Sequence, residues 1–191
     1  LNRNPQSALQ TKDLYHMKKA AFHNLGCKVN SYELDIMRQI LLEEGYEEVP
    51  FHEQADVYVI NTCTVTNIAD RKSRQMLHRA KKQNREAVVI AAGCYVETDP
   101  ERVEKDDAID LVIGNNRKSE IGTILREYLE NREKQRGGKE PEKEEEQGRQ
   151  DKPFFKEDLT CSPVYEDMQL EVPGHTRAFI KIQDGCNQFC S

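Results

Sequence analysis

Val57-Tyr58-Val59-Ile60-Asn61-Thr62-Cys63 is a short, continuous, largely β-branched run that ends on a cysteine. Ala87-Val88-Val89-Ile90-Ala91-Ala92-Gly93-Cys94 repeats the pattern, and Ala20-Ala21-Phe22-His23-Asn24-Leu25-Gly26-Cys27 precedes it in a more polar version. Unbroken apolar runs of this length suit strands buried on both faces of a parallel sheet. Each cysteine is followed by a segment with helical spacing. Asn30 or Ser31 is expected to cap a helix with Leu34, Met37, Ile40 and Leu41 inward, ending at Gly45. A second helix is predicted over 67–84, with Ala69, Met76, Leu77 and Ala80 inward, and Asp99-Pro100 reads as a cap and first helical position. Ala108 to Gly114 gives a further strand, followed by a helix from Ser119 that carries Ile121, Ile124, Leu125, Tyr128 and Leu129. The alternation predicts an α/β domain with an open parallel sheet, Rossmann- or flavodoxin-like.

Strand–cysteine–helix units put Cys27, Cys63 and Cys94 at the carboxyl edge of one sheet, where open α/β folds bind ligands. Helix N-termini there favour thiolate over thiol. One cysteine at a strand end is ordinarily an inert small hydrophobe; three in equivalent places are better explained as a joint ligand set. Structural zinc usually takes four ligands, often from close CxxC pairs that the sequence lacks, so the pattern favours iron–sulfur over zinc. Two more cysteines, Cys186 and Cys190, follow the β-type run Ala178-Phe179-Ile180-Lys181-Ile182. Cys161 fits no motif.

Composition bounds the rest. The chain has 191 residues, 32% of them charged, and a net charge of −6; its mean hydropathy is −0.83. No apolar run approaches the length of a spanning helix, which argues against a membrane protein. Leu1 to His16 lacks the apolar core of a signal peptide and reads as a disordered extension ahead of Met17-Lys18-Lys19, which looks like a native start. Six cysteines in a chain without a secretory signal point to metal or redox chemistry, not disulfides. The first domain is expected over 17–131. Residues 132–175 read as a charged linker, too poor in apolar surface over its first half to offset its ordering entropy, and 176–191 as the start of a second domain. Acidic on average, the chain still carries Arg71, Lys72, Arg74, Arg79, Lys81, Lys82 and Arg85 in one stretch. Phosphate contacts need dense local cations, so Arg71, Lys72, Arg74 and Arg79 are candidate RNA-binding residues, against the plainer reading of a solvated helix face. Neither a Gly-x-Gly-x-x-Gly nor a Walker pattern is present, which weighs against a simple nucleotide-binding domain.

Asn24-Leu25-Gly26-Cys27-Lys28-Val29-Asn30-Ser31-Tyr32-Glu33, Val59-Ile60-Asn61-Thr62-Cys63-Thr64-Val65-Thr66, Gly93-Cys94-Tyr95 and Lys181-Ile182-Gln183-Asp184-Gly185-Cys186-Asn187-Gln188-Phe189-Cys190 together resemble the radical S-adenosylmethionine methylthiotransferases, over 17–191. Lys28-Val29-Asn30, Thr64-Val65-Thr66-Asn67 and Lys72-Ser73-Arg74-Gln75 resemble the branch that modifies N6-threonylcarbamoyladenosine in tRNA, rather than those acting on isopentenyladenosine or on a ribosomal-protein aspartate. The resemblance implies a [4Fe–4S] cluster on Cys27, Cys63 and Cys94. It implies a second on Cys186, Cys190 and a third cysteine beyond Ser191, making this chain the N-terminal fragment of a longer enzyme whose radical-SAM barrel begins near residue 176. That second cluster would bind and reductively cleave S-adenosylmethionine, and the deoxyadenosyl radical would take hydrogen from C2 of the adenine ring, an unactivated position that acid–base chemistry cannot open. The first cluster would supply sulfur, and another S-adenosylmethionine the methyl group. Implied partners are tRNA, S-adenosylmethionine and an electron donor, with no membrane and no DNA, in the cytoplasm; the fragment alone is expected to be inactive. The reading of another class is an iron–sulfur electron-transfer or scaffold protein.

Overall fold

The computed structural model describes residues 18–63, 67–98, 100–136 and 154–155. In chain order the elements are β1 (Lys19–Asn24), α1 (Lys28–Glu43), β2 (Glu47–Glu48), β3 (Val57–Thr62), α2 (Asn67–Gln83), β4 (Val88–Gly93), α3 (Cys94–Thr98), α4 (Pro100–Glu104), β5 (Leu111–Ile113), a 3-10 helix (Asn115–Glu120), α5 (Ile121–Arg136) and β6 (Phe154–Phe155). They form one sheet in the order β2-β1-β3-β4-β5-β6, every pair parallel. The first five strands follow the flavodoxin-like order, as the alternation of strand and helix predicted.

Every residue of β3 and β4 is buried. Side chains alternate between faces along a strand. Val57 and Val59 join Met37, Leu41, Ile121 and Leu125 on the face covered by α1 and α5. Tyr58 and Ile60 join Leu77, Ala80, Val96 and Val103 on the face covered by α2, α3 and α4. With both faces covered, no strand position is left for a polar alternation. That is why these runs read as unbroken apolar segments.

Helix α1 starts earlier than its sequence suggests. Cys27 is its N-cap residue, with extended backbone and no side-chain cap bond, while Asn30 lies inside the helix and is buried. The stop is as expected: the Gly45 and Tyr46 amides donate back to Leu42 and Leu41, each at 3.0 Å, with Gly45 at φ 89°. This is the paired-bond ending that a glycine in the left-handed region permits. Pro100 opens α4, but α3 already begins at Cys94, and Asp99 lies outside the described residues. β2 has no apolar signal at all; its two glutamates are exposed and leave a short, charged sheet edge.

The far side of the domain extends beyond its expected limit. α5 continues to Arg136, past the expected boundary at 131. Within the stretch read as linker, Phe154 and Phe155 pair with Val112 and Ile113 as a sixth strand. Two adjacent aromatic residues between charged runs supply the β propensity that β5 needs for a partner. The expected extension 1–16 and second domain 176–191 lie outside the described residues.

Candidate metal centre

β1 is the strand at which the sheet order reverses: the chain leaves it through α1 to β2 on one side, and β3 lies on the other. In a doubly wound sheet this switch point opens a crevice outside the carboxyl ends of the strands. Asn24 pairs with Asn61 and Thr62 with Gly93, so β1, β3 and β4 end side by side. Cys27 caps α1 beyond β1, Cys63 follows β3, and Cys94 opens α3 directly after β4. All three are free thiols; Cys27 is exposed, Cys63 buried and Cys94 intermediate.

Buried amides hold this edge together. Asn30 Nδ2 donates to the Thr62 carbonyl at 3.0 Å, and Asn61 Nδ2 donates to the Asn30 carbonyl at 2.7 Å. Together they tie the first turn of α1 to the end of β3. The Cys27 thiol donates to Asn30 Oδ1 at 3.2 Å. Ser73, fully buried on α2, accepts the Cys63 amide at 3.3 Å, and its hydroxyl lies 3.2 Å from the Cys63 carbonyl and 2.9 Å from that of Ala69. The Thr62 hydroxyl donates to the Ala92 carbonyl at 2.5 Å. Gly93 turns the chain into α3 at φ 92°, against the Thr62 carbonyl and 2.5 Å, measured from a Cβ built there, from Asn61 Oδ1. Asn30, Asn61 and Ser73 fall within the stretches quoted for the resemblance, but their pairing is not legible there, because each partner is brought in from a distant element.

Burial pushes the Cys94 thiol above its ordinary range, with the neighbouring Cys63 adding to the shift, Lys118 opposing it, and Cys27 and Glu33 adding smaller contributions. The expected preference for thiolate therefore does not prevail at Cys94. Its helix is five residues long, too short for a dipole to outweigh desolvation. Lys118 and Glu33 are themselves a buried ion pair, with side chains 1% and 6% exposed. Glu33 closes the stretch quoted with Cys27, while nothing in the sequence marks Lys118 as its partner.

Among the described residues no three His, Cys, Asp or Glu side chains converge tightly enough to hold a single metal ion. The thiols instead line an edge three strands wide, each carrying a soft donor, with Cys27 turned to the Asn30 amide. A donor set of three spaced thiols suits a polynuclear iron–sulfur group better than a mononuclear ion. On these grounds the residues present fit such a group. Cys161, Cys186 and Cys190 lie outside the described residues.

Helix α2 carries the basic stretch. Arg71, Lys72, Arg79 and Lys82 are exposed, while Arg85 lies past the helix end. Arg74 is bound to Asp70 at 3.2 Å, and Lys81 is held by Asp110 at 2.7 Å and by the Ala87 carbonyl at 3.0 Å. Of the cations on α2, Lys81 is tied to another element, whereas Arg74 pairs only along its own helix and stays 38% exposed. Burial, and secondarily Arg79, lowers the pKa of His23.

Fold and edge together define a doubly wound parallel α/β domain with a thiol at the end of each of three neighbouring strands. The chain belongs to the family described as uncharacterized protein family UPF0004, which matches residues 19–114. It is 42% identical over 173 residues to the threonylcarbamoyladenosine tRNA methylthiotransferase MtaB of Aquifex aeolicus, covering 91% of this chain and 38% of that protein. To the protein of the same name from Bacillus subtilis it is 39% identical over 178 residues, covering 92% of this chain and 35% of the relative. The chain thus spans little more than a third of the length of these relatives. Among the described residues no helix is long and apolar enough to cross a membrane.

Proposed function

We propose that this chain is the N-terminal, sulfur-donating part of a tRNA methylthiotransferase that acts on C2 of N6-threonylcarbamoyladenosine, in the cytoplasm. The observation that carries the reading is the alignment of Cys27, Cys63 and Cys94 at three adjacent strand ends beside the switch point. Identity of 42% to a relative named for this substrate supports the choice of nucleoside. Cys27, Cys63 and Cys94 would hold a [4Fe–4S] cluster; bound there, it would supply an iron free of protein ligands from which sulfur can be delivered. The chain's own residues prepare the edge. Asn30 and Asn61 lock α1 to β3 so that Cys27 stays near the others, Ser73 fixes the backbone of Cys63, and the exposed side of Cys27 leaves the edge open to a substrate. Cys186 and Cys190 would contribute to the S-adenosylmethionine-binding cluster of a second domain starting near residue 176, with an external electron donor. Arg71, Lys72 and Arg79 on α2 would meet tRNA phosphates.

Anaerobic reconstitution with an iron count tests the ligand set. The triple variant Cys27→Ala, Cys63→Ala, Cys94→Ala should lose the cluster, and Cys161→Ala should keep it; unchanged iron in the triple variant would sink the assignment. Mass spectrometry of tRNA nucleosides from cells with and without the full-length protein tests the substrate. Loss of the methylthio group from isopentenyladenosine would reassign the branch, and bound iron with no change in any nucleoside or ribosomal protein would favour the electron-transfer reading.

A further inference from the structure

Asn30 and Asn61 are buried side by side at the carboxyl edge, 5% and 0% exposed. Besides the two bonds that join α1 to β3, Asn30 Nδ2 lies 3.5 Å from Asn61 Oδ1. Two acceptors, that oxygen and the Thr62 carbonyl, thus fix which way the Asn30 amide faces. The pair also meets the residue in front of each cysteine. A methyl group at Gly26, before Cys27, would strike the Asn30 side chain, 2.5 Å from Nδ2. Thr62, before Cys63, receives the Asn30 amide on its carbonyl. Gly93, before Cys94, abuts Asn61, with 2.5 Å between a Cβ built there and Oδ1. Three backbone steps at the ends of three separate strands therefore rest on one pair of amides.

A buried network whose members are all bonded is rigid, so the spacing of these steps is set by the bulk of two carboxamides. That spacing bears on which metal the thiols can hold. Tetrahedral zinc, at about 2.3 Å from each sulfur, needs its thiolates within about 4 Å of one another. An iron–sulfur cluster takes each thiolate on a different iron and accepts them further apart. Raw affinity does not keep zinc from soft thiol donors, so geometry has to. Among the described residues no three such side chains converge on a single ion, and Cys27 is turned towards Asn30. We infer that the Asn30–Asn61 pair is a spacer that holds the three strand-end thiols apart for a cluster and bars a single thiophilic ion such as zinc. This rests on the cluster reading above. Both asparagines are positioning residues: they act on the choice of metal through the backbone before each cysteine, not as ligands.

The test uses the full chain carrying Cys161→Ser, Cys186→Ser and Cys190→Ser, so that only the three strand-end thiols remain. Cobalt(II), whose thiolate complexes absorb visible and near-ultraviolet light, stands in for zinc. Titration of this metal-free parent chain gives its cobalt affinity, and anaerobic reconstitution with iron and sulfide gives its iron count. Asn61→Ala removes half of the spacer without adding charge. It should bind cobalt about 10-fold more tightly than the parent and retain less iron, on the scale usual for residues just outside a metal's ligands. Circular dichroism checks folding, and Asn61→Ser, a milder loss, decides the matter should Asn61→Ala fail to fold. Tyr58→Phe lies towards the amino end of the same strand, where its hydroxyl donates to the Glu53 carbonyl at 2.7 Å and accepts the Ala55 amide at 3.0 Å. That variant should bind cobalt and iron as the parent does. General loosening of the fold weakens both metals alike, whereas loss of a spacer trades one for the other. Cobalt affinity that does not rise in the Asn61 variants, or that rises equally in Tyr58→Phe, would overturn the inference. Absence of iron from the parent chain would instead sink the cluster reading, and the inference with it.

Discussion

A methyl group at Gly93 would collide with the Thr62 carbonyl oxygen and press on Asn61 Oδ1, at a backbone angle that L-residues rarely adopt. Gly93→Ala should therefore cost at least about 2 kcal/mol of stability, measured by urea unfolding, and displace Cys94; a change within about 0.5 kcal/mol would show that the turn relaxes freely. The glycine before the cysteine was visible in the sequence, but its neighbour across the sheet was not. Asn30 makes the same point. Helix-start chemistry suggested a cap, yet its amide is spent on Thr62, and its carbonyl receives Asn61 from 31 positions away. Local propensity describes what a residue can do, and long-range pairing decided what it does.

Among the elements, α2 is the one whose role the structure redefines. Reversing the charge at Arg71 and Lys72 should weaken tRNA binding by the full-length enzyme and reduce the salt slope by about 0.7 to 0.9 for each phosphate that is no longer neutralised. Arg74→Ala should change the slope less than that pair does, because Asp70 already neutralises part of its charge along the helix, and should cost only about 0.5 kcal/mol of stability. Filter-binding titrations over a range of salt compare the two slope changes, and an unchanged slope in the Arg71 and Lys72 variant returns that face to solvation alone. β3 and β4 were legible because burial on both faces removes polar positions from their runs. β2 was not, because two exposed glutamates form a strand only by lying beside Lys19 and Ala20.

For the molecule as a whole, the far edge of the sheet carries a test of where the domain ends. A chain stopped after Arg136 lacks the pairs that Phe154 and Phe155 make with β5. It should still fold, with a stability lower by about 1 kcal/mol, and should associate more readily through the exposed β5 edge. Equal urea midpoints for chains ending at 136 and at 155 would make β6 dispensable.

The sequence by itself determined the parallel α/β class, the helix-bearing segments and the three strand-end cysteines, because each depends on composition and spacing within a dozen neighbouring residues. Only the tertiary structure decided the strand order that brings those cysteines to adjacent positions, the amides and serine around Cys27 and Cys63, and the tie of Lys81 on α2 to Asp110. It also decided the burial that keeps Cys94 protonated more firmly than a free thiol, and the meeting of Glu33 with Lys118 across 85 positions of chain. The physical reason is shared: strand order, desolvation and buried pairing depend on which distant segments meet, and neither periodicity nor residue type along the chain carries that information.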